Sequence, residues 1–131
     1  MAKELLLWSQ AYSVNNDEID AQHKKLIDLI NLLYNVYLDQ KHETEIKNII
    51  DQIKQYSLYH FKTEETFFKI KNYKNSAEHI KLHQSFIEEF EEILKSYNGL
   101  NLVITMKTMT FLQRWLTNHI LKEDKKYIGF I

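Results

Sequence analysis

Seven side chains of this 131-residue sequence have the types and the spacing to hold metal ions. His60 and Glu64 stand four residues apart, as do His79 and His83, and four residues is about one helical turn, so each pair points from one face of a helix. His23 precedes them, and His119 is followed five residues later by Asp124, which a fraying last turn of helix would aim inward. Imidazole nitrogens with carboxylate oxygens make a ligand set for a first-row transition metal. Taken singly, each of these residues has an ordinary reading. A lone buried histidine is usually a hydrogen-bonded core residue, a histidine pair at this spacing arises by chance, and a lone Glu64 belongs on a solvated surface. Together, five imidazoles and two carboxylates on apolar faces would be buried polar groups in need of partners, and metal ions satisfy them at once.

The elements that must position these groups are helices. From Ile19, the residues Leu26, Ile27, Ile30, Leu33, Tyr34 and Tyr37 recur at three and four, with Lys24, Lys25, Asp28 and Asn31 opposite. A second stripe runs Ile46, Ile49, Ile50, Ile53, Tyr56, Ser57, His60, Glu64, Phe67 and Phe68, and a third carries His79, Leu82, His83, Phe86, Phe90, Ile93 and Tyr97. The fourth runs from about Asn101 through Met106, Met109, Leu112, Leu116 and His119. Helices are therefore expected over about 17–38, 43–70, 76–97 and 101–124, behind an arm of about 16 residues that carries Trp8 and Tyr12. Asn15, Asn16 and Asp17 suit the first helix start, Ser76 the third, and Asn98-Gly99 a helix stop. His42 falls in a polar connection and is not expected to be a ligand. Four amphipathic helices with short connections give an all-α, up-down-up-down antiparallel bundle in one domain spanning 1–131.

Composition narrows the function. The absence of proline and the presence of only two glycines remove the residues that break helices. Seventeen basic residues against eighteen acidic ones leave no basic excess for nucleic acid. Without cysteine there is no disulfide, iron–sulfur cluster or thiolate zinc site. The apolar run Leu5 to Trp8 is too short for a signal peptide or a membrane span, so a soluble cytoplasmic protein is expected. A monomer is the expected state. A ferritin-like di-iron site needs Glu-x-x-His motifs and a zinc protease needs His-Glu-x-x-His, and neither motif occurs. A zinc or manganese site on the same ligands is the second choice.

The pattern His23, His60-x-x-x-Glu64, His79-x-x-x-His83 and His119-x-x-x-x-Asp124 resembles the hemerythrin family over nearly the whole chain, most of all its bacterial single-domain members. Trp8 and Tyr12 in the arm, Ile19-Asp20-x-Gln22-His23 and Trp115-Leu116-x-x-His119 agree with it. The resemblance implies two iron ions, with His79, His83 and His119 on one, His23 and His60 on the other, and Glu64, Asp124 and an oxo or hydroxo group bridging. These donors fill about eleven of about twelve positions around two six-coordinate metals, leaving one open. It implies reversible binding of dioxygen at that position, beside an apolar pocket containing Trp115 and Leu116, and hence an oxygen carrier or store rather than an enzyme. Tyr73 and Tyr127 are expected either to pack over the site, to hydrogen-bond the carboxylates, or to be ordinary aromatic core. Oxygen sensing, peroxide or nitric oxide processing, and iron storage are the alternative uses of such a centre.

Overall fold

A computed structural model describes residues 4–39, 43–95 and 102–131; His42, Tyr97, Asn98, Gly99 and Asn101, to which the sequence reading gives roles, lie outside these. The described residues form an antiparallel bundle of four helices with no strand: α1 (Asp17–Leu38), α2 (Glu43–Ile70), α3 (Ser76–Lys95) and α4 (Leu102–Asn118). α1 starts where Asn16 accepts a hydrogen bond from the Ile19 backbone N–H at 3.1 Å, with Asp17, Glu18 and Asp20 complementing the positive end of the helix dipole. Leu26, Ile30 and Leu33 of α1 bury against Ile46, Ile50 and Ile53 of α2, Phe86 and Phe90 of α3, and Met109, Leu112 and Leu116 of α4. Each such side chain contributes about 1.5–3 kcal/mol by leaving water. Met106 does not join them. It is 48% exposed, because the inner stripe of α4 reads Ile104, Thr105, Thr108, Met109, Leu112 and Leu116, and Met106 stands about a third of a turn away from it. Among the described residues no helix is long and apolar enough to cross a membrane.

Two side chains of α1, Asn31 and Asp20, tie the arm to it. The Asn31 carbonyl oxygen accepts from the backbone N–H groups of Leu5 and Leu6 at 2.8 and 2.9 Å, and its amide donates to the Leu6 carbonyl at 2.8 Å. Further along, Asp20 accepts from the Ser13 hydroxyl and the Val14 N–H, while Lys125 donates to the Ser13 carbonyl at 2.8 Å. The arm thereby links the start of α1 to the C-terminal segment. That segment departs from the regular helix to about residue 124 that the periodicity suggests. The α-helix stops at Asn118, a π turn covers His119–Glu123, and a 3-10 turn follows over Asp124–Tyr127. The Asp124 N–H donates to the His119 carbonyl, five residues back, which is the π-helical bond.

α2 ends in a Schellman motif. Asn72 adopts φ 51°, the Tyr73 N–H donates to the Phe68 carbonyl at 2.9 Å, and the Asn72 N–H reaches the Lys69 carbonyl at 3.4 Å. The apolar contact that accompanies such a motif is present, with the Phe68 and Tyr73 rings 5.0 Å apart. Asparagine tolerates the left-handed backbone, whereas a β-branched side chain clashes there at a cost of roughly 1–2 kcal/mol. Asn72→Val should therefore lower the unfolding free energy by about that amount and Asn72→Gly should not. Denaturant melts of both variants check this, and equal loss in both would mean that the side chain of Asn72 matters rather than its backbone.

Candidate metal centre

Three helices and the turn that continues the fourth contribute to one buried polar cluster. α1 brings His23, α2 brings His60 and Glu64, α3 brings His79 and His83, and the π turn places His119 and the adjoining Asp124 on the same side. None of the seven is more than 5% exposed, and Glu64 and Asp124 are not exposed at all. Glu64 Oε1 lies 3.3 Å from His60 Nε2, 3.1 Å from His83 Nε2 and 4.0 Å from His79 Nε2. Asp124 Oδ1 lies 3.0 Å from Nε2 of both His79 and His119, and its Oδ2 lies 3.0 Å from His23 Nε2. Two sets emerge that could each hold a metal ion: Glu64 with His79, His83 and His119, and His23, His60, Glu64 and Asp124. Glu64 is common to both sets, and Asp124 reaches histidines of both.

The donor chemistry fits a metal ion. Both ring nitrogens of His23, His83 Nε2, Glu64 Oε1 and both Asp124 oxygens are buried without an aligned hydrogen bond, and all of them except His23 Nδ1 stand close to an oppositely polar atom of the cluster. A buried polar atom without a partner costs a few kcal/mol, and five of them gathered in one place have a common remedy in a shared ion. Nitrogen and carboxylate donors in this proportion suit a first-row divalent metal.

A surrounding layer fixes the rings. Gln22 Oε1 accepts from His60 Nδ1 at 2.8 Å, while the Gln22 amide donates to the Thr63 hydroxyl. Glu65 Oε2 accepts from His83 Nδ1 at 2.9 Å. These bonds put the proton on Nδ1 and turn Nε2 of each ring inward. The Tyr127 hydroxyl donates to Glu64 Oε2 at 2.6 Å, so of that carboxylate only Oε1 faces the histidines. Tyr73 instead packs on Phe68 and Tyr127. Phe61 stacks on His83 at 3.9 Å between centroids, and Trp115 stacks on His119 at 4.1 Å. Leu116 is buried in the main core beside this layer. Sequence reasoning missed Gln22, Glu65 and Phe61 as neighbours of the site. Each sits beside a ligand in the chain, one residue from His23, Glu64 and His60, and one residue turns a helical side chain about 100° away, toward the next helix.

Burial and charge oppose each other here. Burial alone would raise the Asp124 carboxyl, but the charge and close approach of His119, with those of His23 and His79, hold it well below the usual carboxylate range. Glu64 is likewise lowered, its desolvation and the nearby Asp124 being outweighed by His60 and His83. His83, which burial would lower, is pushed up to about 9 by the Glu64 carboxylate close to its Nε2 and by its bond to Glu65. His23 is raised against burial by Asp124, whereas burial wins at His60 and lowers it. Burial and the two carboxylates push the Tyr127 phenol up, so it stays protonated and donates.

Residues 14–131 match the sequence profile of the hemerythrin HHE cation-binding domain. The chain belongs to the hemerythrin family. It is 32% identical over 127 residues to a bacteriohemerythrin of Pseudomonas paraeruginosa, covering 96% of this chain and 81% of that protein. A bacteriohemerythrin of Clostridium acetobutylicum is 30% identical over 95% of this chain and 99% of its own length. A hemerythrin-like protein of Naegleria gruberi is 32% identical, with coverages of 95% and 92%. Among solved structures, a wild-type hemerythrin superposes with a TM-score of 0.85 at 30% identity, covering 96% of this chain and 97% of the other. The all-α bundle is thus the hemerythrin fold.

The proton balance of this hemerythrin-type cluster has a consequence for loading. A raised histidine stabilises the metal-free fold fully below its ordinary value of 6.5, and that contribution is lost as pH rises through about 9 for His83. The lowered carboxylates stabilise above their ordinary values and lose this as pH falls. A metal ion must displace the protons held by His83 and His23, so loading near neutrality should release protons, and apparent affinity should rise from pH about 6 toward about 9. Calorimetric titration of the metal-free chain with zinc, in two buffers of different ionisation enthalpy, counts those protons. No release at neutral pH would mean that both rings are already neutral.

Proposed function

We propose that this chain binds dioxygen reversibly at a non-haem di-iron centre and serves as an oxygen carrier or store rather than an enzyme. His79, His83 and His119 would hold one iron, His23 and His60 the other, with Glu64 and Asp124 shared and an oxo or hydroxo group completing the bridge. The observation that carries this reading is the unequal division of five imidazoles, three and two, around two shared carboxylates. Two ferrous ions held by these residues would supply the electrons that reversible dioxygen binding needs. A hemerythrin of known structure and bacteriohemerythrins at about 32% identity support the assignment by likeness.

The protein's own residues then have definable tasks. Gln22 and Glu65 hold the Nδ1 protons of His60 and His83, which keeps Nε2 of each free to ligate. Tyr127 holds Glu64 Oε2 and leaves Oε1 for sharing. Leu116 and the Phe61 and Trp115 rings exclude water, and a dry site suppresses the proton transfers that would turn reversible binding into irreversible oxidation.

The test is absorption spectroscopy of the chain loaded anaerobically with ferrous iron. An oxygen-dependent visible band should appear in air, vanish on deoxygenation and return over repeated cycles, at about two irons per chain. Steady oxygen consumption with an electron donor and no recoverable band would overturn the carrier reading, and one zinc with no iron would overturn the centre. Leu116→Ala should leave iron content and helicity nearly unchanged but hasten the loss of that band in air several-fold. Identical decay in both proteins would make Leu116 plain core.

A further inference from the structure

A concave groove of about 690 Å³ lies on the outer side of α3 and α4, and it reaches the cluster directly, since His119 lines it beside Trp115. Leu82 of α3 and Met106, Phe111 and Trp115 of α4 give it an apolar lining. The half-buried Trp115 stacks on His119 with 15° between ring planes, so one face of the site's outermost histidine is continuous with the groove wall. Lys107, Arg114 and Lys122 stand on the rim, all exposed, and none forms an ion pair among the described residues. Two acidic groups share the lining. Glu89 is exposed, and Glu123 is already engaged by Lys126 at 3.0 Å. The groove therefore presents unpaired cations above aromatic and thioether surface, on a chain whose net charge is −1. Its volume falls in the range of small-molecule sites rather than protein interfaces.

We propose that this groove binds a planar aromatic anion that carries electrons, a reduced flavin mononucleotide being the chemical type, and that Trp115 passes those electrons to His119. The inference rests on the di-iron reading above, in which any chain oxidised to the ferric state must be reduced before it can bind oxygen again. The ring would lie on Phe111 and Trp115, where stacking on an aromatic face is favourable, and the phosphate would meet Arg114 with Lys107. The bookkeeping closes: the dihydroflavin loses two electrons and two protons to become the oxidised ring, two ferric ions gain one electron each, and the protons go to solvent. Trp115 touches His119 directly, so no other carrier is required between groove and ligand.

The experiment uses the iron-loaded full chain and flavin mononucleotide itself. Quenching of flavin fluorescence should saturate at one flavin per chain. Arg114→Glu, and separately Lys107→Glu, should weaken binding about tenfold or more by removing a charge-assisted contact. Lys47→Glu, an exposed charge reversal on α2, should leave binding unchanged. Under anaerobic conditions, the rate at which reduced flavin bleaches the ferric protein should saturate with flavin concentration. Arg114→Glu should abolish that saturation without slowing reduction by hexaammineruthenium(II), a cation that has no use for the rim. Absence of saturable binding, or wild-type binding in both rim variants, overturns the proposal. So does a wild-type dimer, seen by sedimentation, that Arg114→Glu dissociates, because a second copy would then occupy the groove. A chain that cycles oxygen normally but ignores flavin refutes this inference alone. One that binds flavin without an oxygen-dependent band refutes the carrier reading alone.

Discussion

Glu64 and Asp124 are two carboxylates with no exposure to solvent, set among imidazoles from three helices and the turn that continues the fourth. Removing an ionised carboxylate from water costs several kcal/mol even after relaxation, and a domain of this size has a net stability of only about 5–15 kcal/mol. The helices must therefore deliver their histidines to those oxygens within hydrogen-bonding or ligating distance, and this fixes their register. A slip of one turn moves a side chain about 5.4 Å along its helix, far more than contacts near 3 Å tolerate. The arrangement of caps and turns follows from that requirement. Asn16 sets where α1 begins, the Schellman motif sets where α2 stops, and the arm fastens the start of α1 to the segment that carries Asp124.

Stability and chemistry are divided along the bundle. One end is hydrocarbon, with Leu33, Ile46, Ile53 and Phe90 closing on one another; the other surrounds its polar cluster with Phe61, Phe68, Trp115 and Tyr127. Aromatic rings suit this second layer. They supply large apolar area with few rotatable bonds, and their faces and edges both accept imidazole neighbours, as Phe61 and Trp115 do face to face and Phe68 does edge-on to His79. The low-dielectric surroundings that strengthen each ion pair also raise the cost of leaving any of them unmade. The hydrocarbon end offsets that cost, because its burial is indifferent to protonation and to metal.

What the sequence makes legible is what a single helix determines. The pairs His60 with Glu64 and His79 with His83 are set by helical periodicity alone, and the apolar stripes that place them inward are equally local. Contacts between helices are not legible in that way. Gln22 with His60 and Glu65 with His83 depend on the rotation and register of α1 against α2 and of α2 against α3, and both partners look like solvated polar residues when α1 and α2 are read alone. The five-residue step from His119 to Asp124 is ambiguous for a different reason. It violates the α-helical period, and the π turn that resolves it leaves no composition signal. Met106 shows the opposite error, an apolar residue near enough to the stripe to be read inward that in fact faces the groove.

The neighbours of the histidines are not equivalent, and under the proposed di-iron assignment the difference bears on which metal position has the more electron-rich surround. His60 gives its Nδ1 proton to the neutral amide oxygen of Gln22, whereas His83 gives its proton to the carboxylate of Glu65. A carboxylate acceptor makes the imidazole a stronger donor to a metal than an amide does. Glu65 keeps about a third of its side chain in solvent, which weakens the effect without removing it. Under the proposed assignment the iron with three histidines thus has the more electron-rich shell. At the two-histidine position the bond from His60 goes to a neutral amide, and that position has one imidazole fewer. The asymmetry set by ligand number is therefore reinforced by the residues behind the ligands, both of which are held by the same inter-helix register that the buried carboxylates impose.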